Sequence, residues 1–105
     1  MTNKEKLLSL IQDLLDRKIS FTSFSELFEE TYWADGVHAT LDEIDNEFLY
    51  RVNECSTYVN NEEAGKWGFK SEDDYIAWLS LGYKEFSNNR TSWFERVKNT
   101  EDMWA

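Results

Sequence analysis

Thr40-Leu41-Asp42-Glu43-Ile44-Asp45-Asn46-Glu47-Phe48-Leu49-Tyr50-Arg51-Val52-Asn53-Glu54-Cys55-Ser56-Thr57-Tyr58-Val59 carries two patterns at once. Leu41, Ile44, Phe48, Val52, Cys55 and Val59 recur at helical spacing. At the rotation of an α-helix they fall within an arc of about 80°. Glu43, Glu47, Tyr50 and Glu54 fall on the opposite side, in a similarly narrow arc. A strand period of two produces neither stripe. The reading is an amphipathic helix with an apolar face on a core and an acidic, aromatic-bearing face turned outward. Thr40-Leu41-Asp42-Glu43 has the form of a capping box that starts it, and Asp42 and Glu43 complement the positive end of the helix dipole.

The same signals recur on both sides. Thr2-Asn3-Lys4-Glu5 is a capping-box pattern, and Leu7, Leu8, Ile11, Leu14, Leu15 and Lys18 predict a first helix to about Lys18. Ile19 to Thr22 reads as a connection. Ser23-Phe24-Ser25-Glu26 predicts the start of a second helix with Phe24, Leu27, Phe28 and Thr31-Tyr32 as its apolar stripe, ended by Asp35-Gly36. Downstream, Asn60 to Lys70 has loop character with Gly65 and Gly68, and its Lys66 to Lys70 portion is too short and glycine-rich for a strand. Ser71-Glu72-Asp73-Asp74 opens a helix with Tyr75, Ile76, Leu79, Tyr83 and Phe86 as apolar positions, stopped by Asn88-Asn89. Ser92-Trp93-Phe94-Glu95 opens a last short helix with Trp93, Phe94 and Val97 inward. The fold class expected is all-α: a small antiparallel helical bundle of four main helices plus a short C-terminal helix.

The 105 residues make one domain, 1–105, with no room for a second core. Hydrophobic residues at 41% and aromatics at 16% are enough to bury that core, so the charge does not imply disorder. No apolar run is long enough to span a membrane. The single cysteine allows no internal disulfide and suits a reducing cytosol, so a cytoplasmic location is expected.

Net charge is -10, and it is concentrated. Phe21 to Tyr50 holds eight acidic residues and no Lys or Arg. Such a field repels phosphates and disfavours direct nucleic-acid binding, while it suits a basic partner. The plain reading of the same charges is a solvated surface that keeps the protein soluble.

Candidates for chemistry are few. His38 is the only histidine and sits in a predicted loop without a positioned nucleophile, so a surface role is expected. Cys55 lies on the apolar face and reads as a small core residue. The chain lacks the nitrogen and sulfur ligands of a metal site, and no phosphate loop or catalytic motif is present. No catalytic residue, metal or cofactor is therefore expected. Trp33, Trp67, Trp78, Trp93 and Trp104 read as core or core-edge, with Trp33 and Trp104 placed to be exposed.

From Leu7 to Phe86 the order of features resembles the small helical immunity proteins of the colicin D immunity-like family. The residues carrying the likeness are the Leu-rich first helix ending in Lys18-Ile19-Ser20, then Phe24-Ser25-Glu26-Leu27-Phe28 and Tyr32, the acid-rich third helix, and Ser71-Glu72-Asp73-Asp74-Tyr75-Ile76. It covers about three quarters of the chain, and the segment from Ser92 to Trp104 departs from shorter members. Such families are similar to the immunity proteins of contact-dependent growth inhibition systems. The resemblance implies a cytosolic, non-enzymatic protein that neutralises one cognate toxin, commonly a nuclease acting on transfer RNA. A basic active site can be covered by an acidic surface with steered association. The residues expected to make that surface are Glu26, Glu30, Asp35, Asp42, Glu43, Glu47, Tyr50 and Glu54. Two other classes share some of these features: an acidic nucleic-acid mimic that blocks a DNA- or RNA-binding protein, and an all-helical adaptor subunit with a groove for a partner helix.

Overall fold

Thr2 begins the chain's first helix by accepting the Glu5 amide N–H on its Oγ1 at 3.1 Å. The computed structural model describes residues 2–59, 69–100 and 102. The predicted loop around Gly65 and Gly68, most of the Lys66 to Lys70 segment, Trp67 and Trp104 lie outside the described residues. Helix α1 spans Asn3–Leu15 and buries Leu7, Ile11 and Leu14. It stops before the expected Lys18 because Arg17 takes a left-handed conformation, φ 60°. The Lys18 amide donates to the Asp13 carbonyl at 2.8 Å and the Arg17 amide to that of Leu14 at 3.1 Å. This pair of bonds is a Schellman stop, and its left-handed position favours glycine. Arg17→Gly should therefore raise stability by about 1 kcal/mol in urea denaturation, since the exposed Arg17–Asp73 contact at 3.6 Å contributes little. An unchanged or lower stability would contradict it.

Helix α2 spans Phe21–Tyr32, capped by Ser20, whose Oγ accepts the Ser23 amide N–H at 3.1 Å. The helix thus starts earlier than the Ser23 box implied. The earlier start adds Phe21 to the inward stripe of Phe24, Phe28 and Tyr32. Leu27 falls to the side of that stripe and is 45% exposed, which corrects its expected place in the core. The helix ends at Tyr32 rather than at Asp35-Gly36. Gly36, at φ 81°, instead turns the following segment. That turn buries Val37 and leads into a short 3₁₀ turn over His38–Thr40.

Helix α3 spans Glu43–Ser56. Its cap is Asp42, which accepts the Asp45 amide N–H at 2.8 Å, and not Thr40, whose hydroxyl donates to the Val37 carbonyl at 2.6 Å. Phe48, Val52 and Cys55 are buried on the anticipated face, with Leu49 beside them, while Leu41, Ile44 and Val59 pack half-buried at its margin. Burial reaches further round the helix than the apolar stripe, taking in Asp45, Arg51, Asn53 and Ser56. The reason is position: α3 packs against α2 and against both downstream helices.

Those are α4, Glu72–Asn88, capped by Ser71 as anticipated, and α5, Arg90–Val97. Asn89 caps α5 by accepting the Ser92 amide N–H at 3.0 Å, so this helix starts before the Ser92 box. Trp93 and Val97 are buried and Phe94 half-buried. Phe48 and Phe86 stack with centroids 4.1 Å apart, and Trp93 meets Phe48 edge-on at 5.3 Å. Buried Tyr75 donates its hydroxyl to the Val52 carbonyl at 2.9 Å, so this polar tip is satisfied inside the core.

All regular structure among the described residues is helical, apart from one isolated bridge between Val59 and Phe69. The Cα radius of gyration, 13.1 Å, is that of a folded domain of this length. Among the described residues no helix is long and apolar enough to cross a membrane.

Candidate functional site

The acidic surface divides into three parts once the helices pack. Glu26 and Glu30 on α2, Asp35 in the turn and Glu43 at the start of α3 are exposed. Glu29, absent from the residues expected above, is exposed with them. Among the described residues none of these five acids has an ion-pair partner. Their charges point into water.

Glu47, Tyr50 and Glu54 form the second part. They lie opposite the apolar face as anticipated, but all three are half-buried, which corrects the expectation of a fully outward stripe. Tyr50 loses water on burial and stands beside the charges of Glu54 and Glu47, which hold its hydroxyl above the ordinary phenol range. The stripe also borders the end of α2. Burial, reinforced by Tyr50, Glu47 and Glu54, pushes the Tyr32 hydroxyl up to about 12, while that hydroxyl donates to Asn46 Oδ1 at 2.8 Å. Tyr75, fully buried, is raised well above the ordinary value.

These phenols have a consequence at high pH. A hydroxyl whose folded pKa exceeds its unfolded value keeps its stabilising effect below pH 10 and loses it as pH climbs toward 12. Stability should hold to about pH 10 and fall steeply above it. Urea titrations at stepped pH check this, and Tyr32→Phe should flatten the alkaline slope. An unchanged slope in that variant would contradict the assignment.

The third part is Asp42. It is spent on capping α3 and on Arg90, whose Nη1 donates to Asp42 Oδ2 at 2.7 Å and to Asp45 Oδ1 at 2.9 Å. The Asp45 amide and the Arg90 guanidinium hold the Asp42 carboxyl below its ordinary value. Lys4 pairs with the buried Asp45 at 2.7 Å. Cations from α1 and α5 thus neutralise acids at the start of α3, although the sequence around those acids has none. Arg51 is a third cation paired with an acid of α3, and the charge pattern of Phe21 to Tyr50 does not point to it. Only 4% exposed, it reaches Glu47 Oε1 at 2.8 Å and donates to the carbonyls of Val97 at 3.2 Å and Asp102 at 2.8 Å. The spacing Glu47–Arg51, one helical turn, is the signal that could have found it.

His38 is exposed, and its Nε2–H donates to the Tyr32 carbonyl at 3.1 Å. Its ring packs on Tyr32 and Trp33 at 4.6 Å and 5.2 Å between centroids. Cys55 is buried, and desolvation pushes its thiol up to about 12 despite the nearby Arg51 charge. The nucleophilic thiolate is therefore scarce at neutral pH. Among the described residues no group of three or more His, Cys, Asp or Glu is placed to hold a metal ion.

A groove of about 250 Å³ lies between α4 and α5, floored by Phe48, Leu79 and Trp93 and walled by Trp78 and Leu81. Leu81 is 73% exposed at its edge. Arg96 pairs with Glu85 at 2.7 Å along its rim. Compared with known proteins, the chain matches no family model, no curated protein and no solved structure.

Proposed function

We propose that this protein is an immunity-type inhibitor that binds a basic toxin domain, probed first as a transfer-RNA-directed nuclease, and covers its active site with an acidic surface. One observation carries the reading. Of the eight acids between Phe21 and Tyr50, five are exposed and unpaired among the described residues, on one helix, the turn after it and the start of the next. A chain that needed only solubility would gain as much from dispersed charges. Concentrated like charge costs stability through self-repulsion, and it suits a surface that meets a cationic partner. Binding and occlusion need no catalytic residue, cofactor or metal, and the same negative field opposes direct nucleic-acid binding. In this reading the helices form an antiparallel bundle of four with α5 as a short addition, and the protein acts in the cytoplasm. The resemblance to colicin D-type immunity proteins supports the choice of a nuclease as first partner.

The test is co-expression with the protein encoded directly upstream. The expected result is that the upstream protein is toxic alone, harmless with this chain, and co-purifies with it at low salt. A harmless upstream protein, or one that ignores the chain, would overturn the reading. An acidic mimic that blocks a DNA- or RNA-binding protein would use the same surface and differ only in its target. A second reading, an all-helical adaptor, is favoured by the apolar groove between α4 and α5 and by exposed Leu81. It would bind a partner helix with little dependence on salt.

A further inference from the structure

The end of α2 carries a feature that charge alone does not explain. Trp33 is 53% exposed, yet its indole packs against two neighbouring rings. Tyr32 meets it edge-on at 5.0 Å, and His38 packs on it at 5.2 Å. His38 is itself held by its bond to the Tyr32 carbonyl. Beside this platform is an open recess of about 270 Å³ lined by Trp33, Ala34, Asp35, Gly36, His38 and Ala39. Its small residues keep it open, and a Cβ built at Gly36 would meet nothing within 4 Å. Asp35 supplies a carboxylate at the recess, Glu29 and Glu30 lie one turn back on α2, and no Lys or Arg occurs between Phe21 and Tyr50.

We propose that this recess takes an arginine side chain of the basic partner, its guanidinium stacked on the Trp33 indole and paired with Asp35. An exposed indole favours a cation over its face, and the planar guanidinium both stacks on a ring and pairs with a carboxylate. A lysine ammonium is more strongly hydrated and cannot lie flat on the ring. A ring already packed on Tyr32 and His38 has less side-chain freedom to lose on binding. The inference rests on the docking reading above and names the contact at which that docking is anchored.

The probe is N-acetyl-argininamide titrated into the full chain, followed by the indole N–H resonances of the five tryptophans. Trp33→Phe identifies the resonance of Trp33. The expected result is a saturable shift of the Trp33 indole and the His38 ring, with the indoles of Trp78 and Trp93 unmoved. N-acetyl-citrullinamide, the neutral isostere, should shift Trp33 at least about tenfold less, and Asp35→Asn should weaken arginine binding severalfold. Equal responses to citrulline or to N-acetyl-lysinamide, or a shift shared by all indoles, would overturn the assignment. The two readings separate on the co-expressed upstream protein. If it binds the parent and Trp33→Ala alike, the recess is wrong and the docking reading stands. If argininamide fills the recess but the upstream protein does not bind, the recess stands as a guanidinium site and the docking reading falls.

Discussion

Arg51→Ala is expected to cost about 3–5 kcal/mol of folding stability, the range for removing one member of a buried charged network. The arginine joins the middle of α3 to the end of α5 through the Val97 carbonyl and to the segment after it through that of Asp102, and it pairs with Glu47 one turn away. Truncation leaves carbonyl groups without a donor and a half-buried carboxylate without its cation. The floor of the α4–α5 groove loses a neighbour as well, because Arg51 lines it. Arg51→Lys should recover less than half of the loss. A single ammonium cannot reproduce the planar fork that serves carbonyls and a carboxylate together. Urea denaturation of the three proteins checks this, and a loss below about 1 kcal/mol for Arg51→Ala would show that water takes over the arginine's partners.

The second large effect is on binding. Reversing Glu26 and Glu30 together to Lys should weaken binding to the upstream protein by about 3 kcal/mol or more if both face cationic groups, because repulsion replaces attraction. Association should slow more than about tenfold at low salt. Both residues are exposed on α2 and form no ion pair among the described residues, so folding should be unaffected. The helical positions reinforce the choice. Glu26, Glu30 and Trp33 lie one turn apart on the side of α2 opposite Phe24, Phe28 and Tyr32. A charge-matched control, Glu5→Lys with Glu95→Lys, alters net charge equally at exposed sites on α1 and α5. If control and test weaken binding equally, the effect is bulk charge and not this face.

The pair Glu43 and Glu47, which the sequence singles out as a docking stripe, is a poorer test than it looks from spacing alone. Glu47→Lys would set an ammonium beside buried Arg51 and destabilise α3 itself. That difference illustrates what periodicity conveys and what it omits. The apolar face of α3 was legible because burial follows a repeating angle, and Phe48, Val52 and Cys55 occupy it. Cap residues were legible as types and less so as positions. Ser20, Asp42 and Asn89 lie two or three residues from the candidates Ser23, Thr40 and Ser92, which are capping residues of equal quality. Phe21 decides that choice for α2 by joining Phe24 and Tyr75 in the core.

The acidic region was legible as composition, but its division was not. Asp42 and Asp45 are matched by Arg90 and Lys4, and Arg90 lies 48 and 45 residues from them, so no local pattern links them. Trp33 could be placed near a helix end by sequence. Its contact with His38 was not legible, because a tight turn through Gly36 and the 3₁₀ turn returns that ring to the helix end.

The proposed inhibition depends on docking of a basic protein by the acids of α2 and the turn after it, which have no ion-pair partner among the described residues. Its most direct test is the association rate of the upstream protein with this chain, measured by stopped-flow at 50 and 500 mM NaCl. The expected rate falls more than about tenfold between the two, with dissociation changing far less. Binding with the same association rate at both salts, or no binding at either, would contradict it.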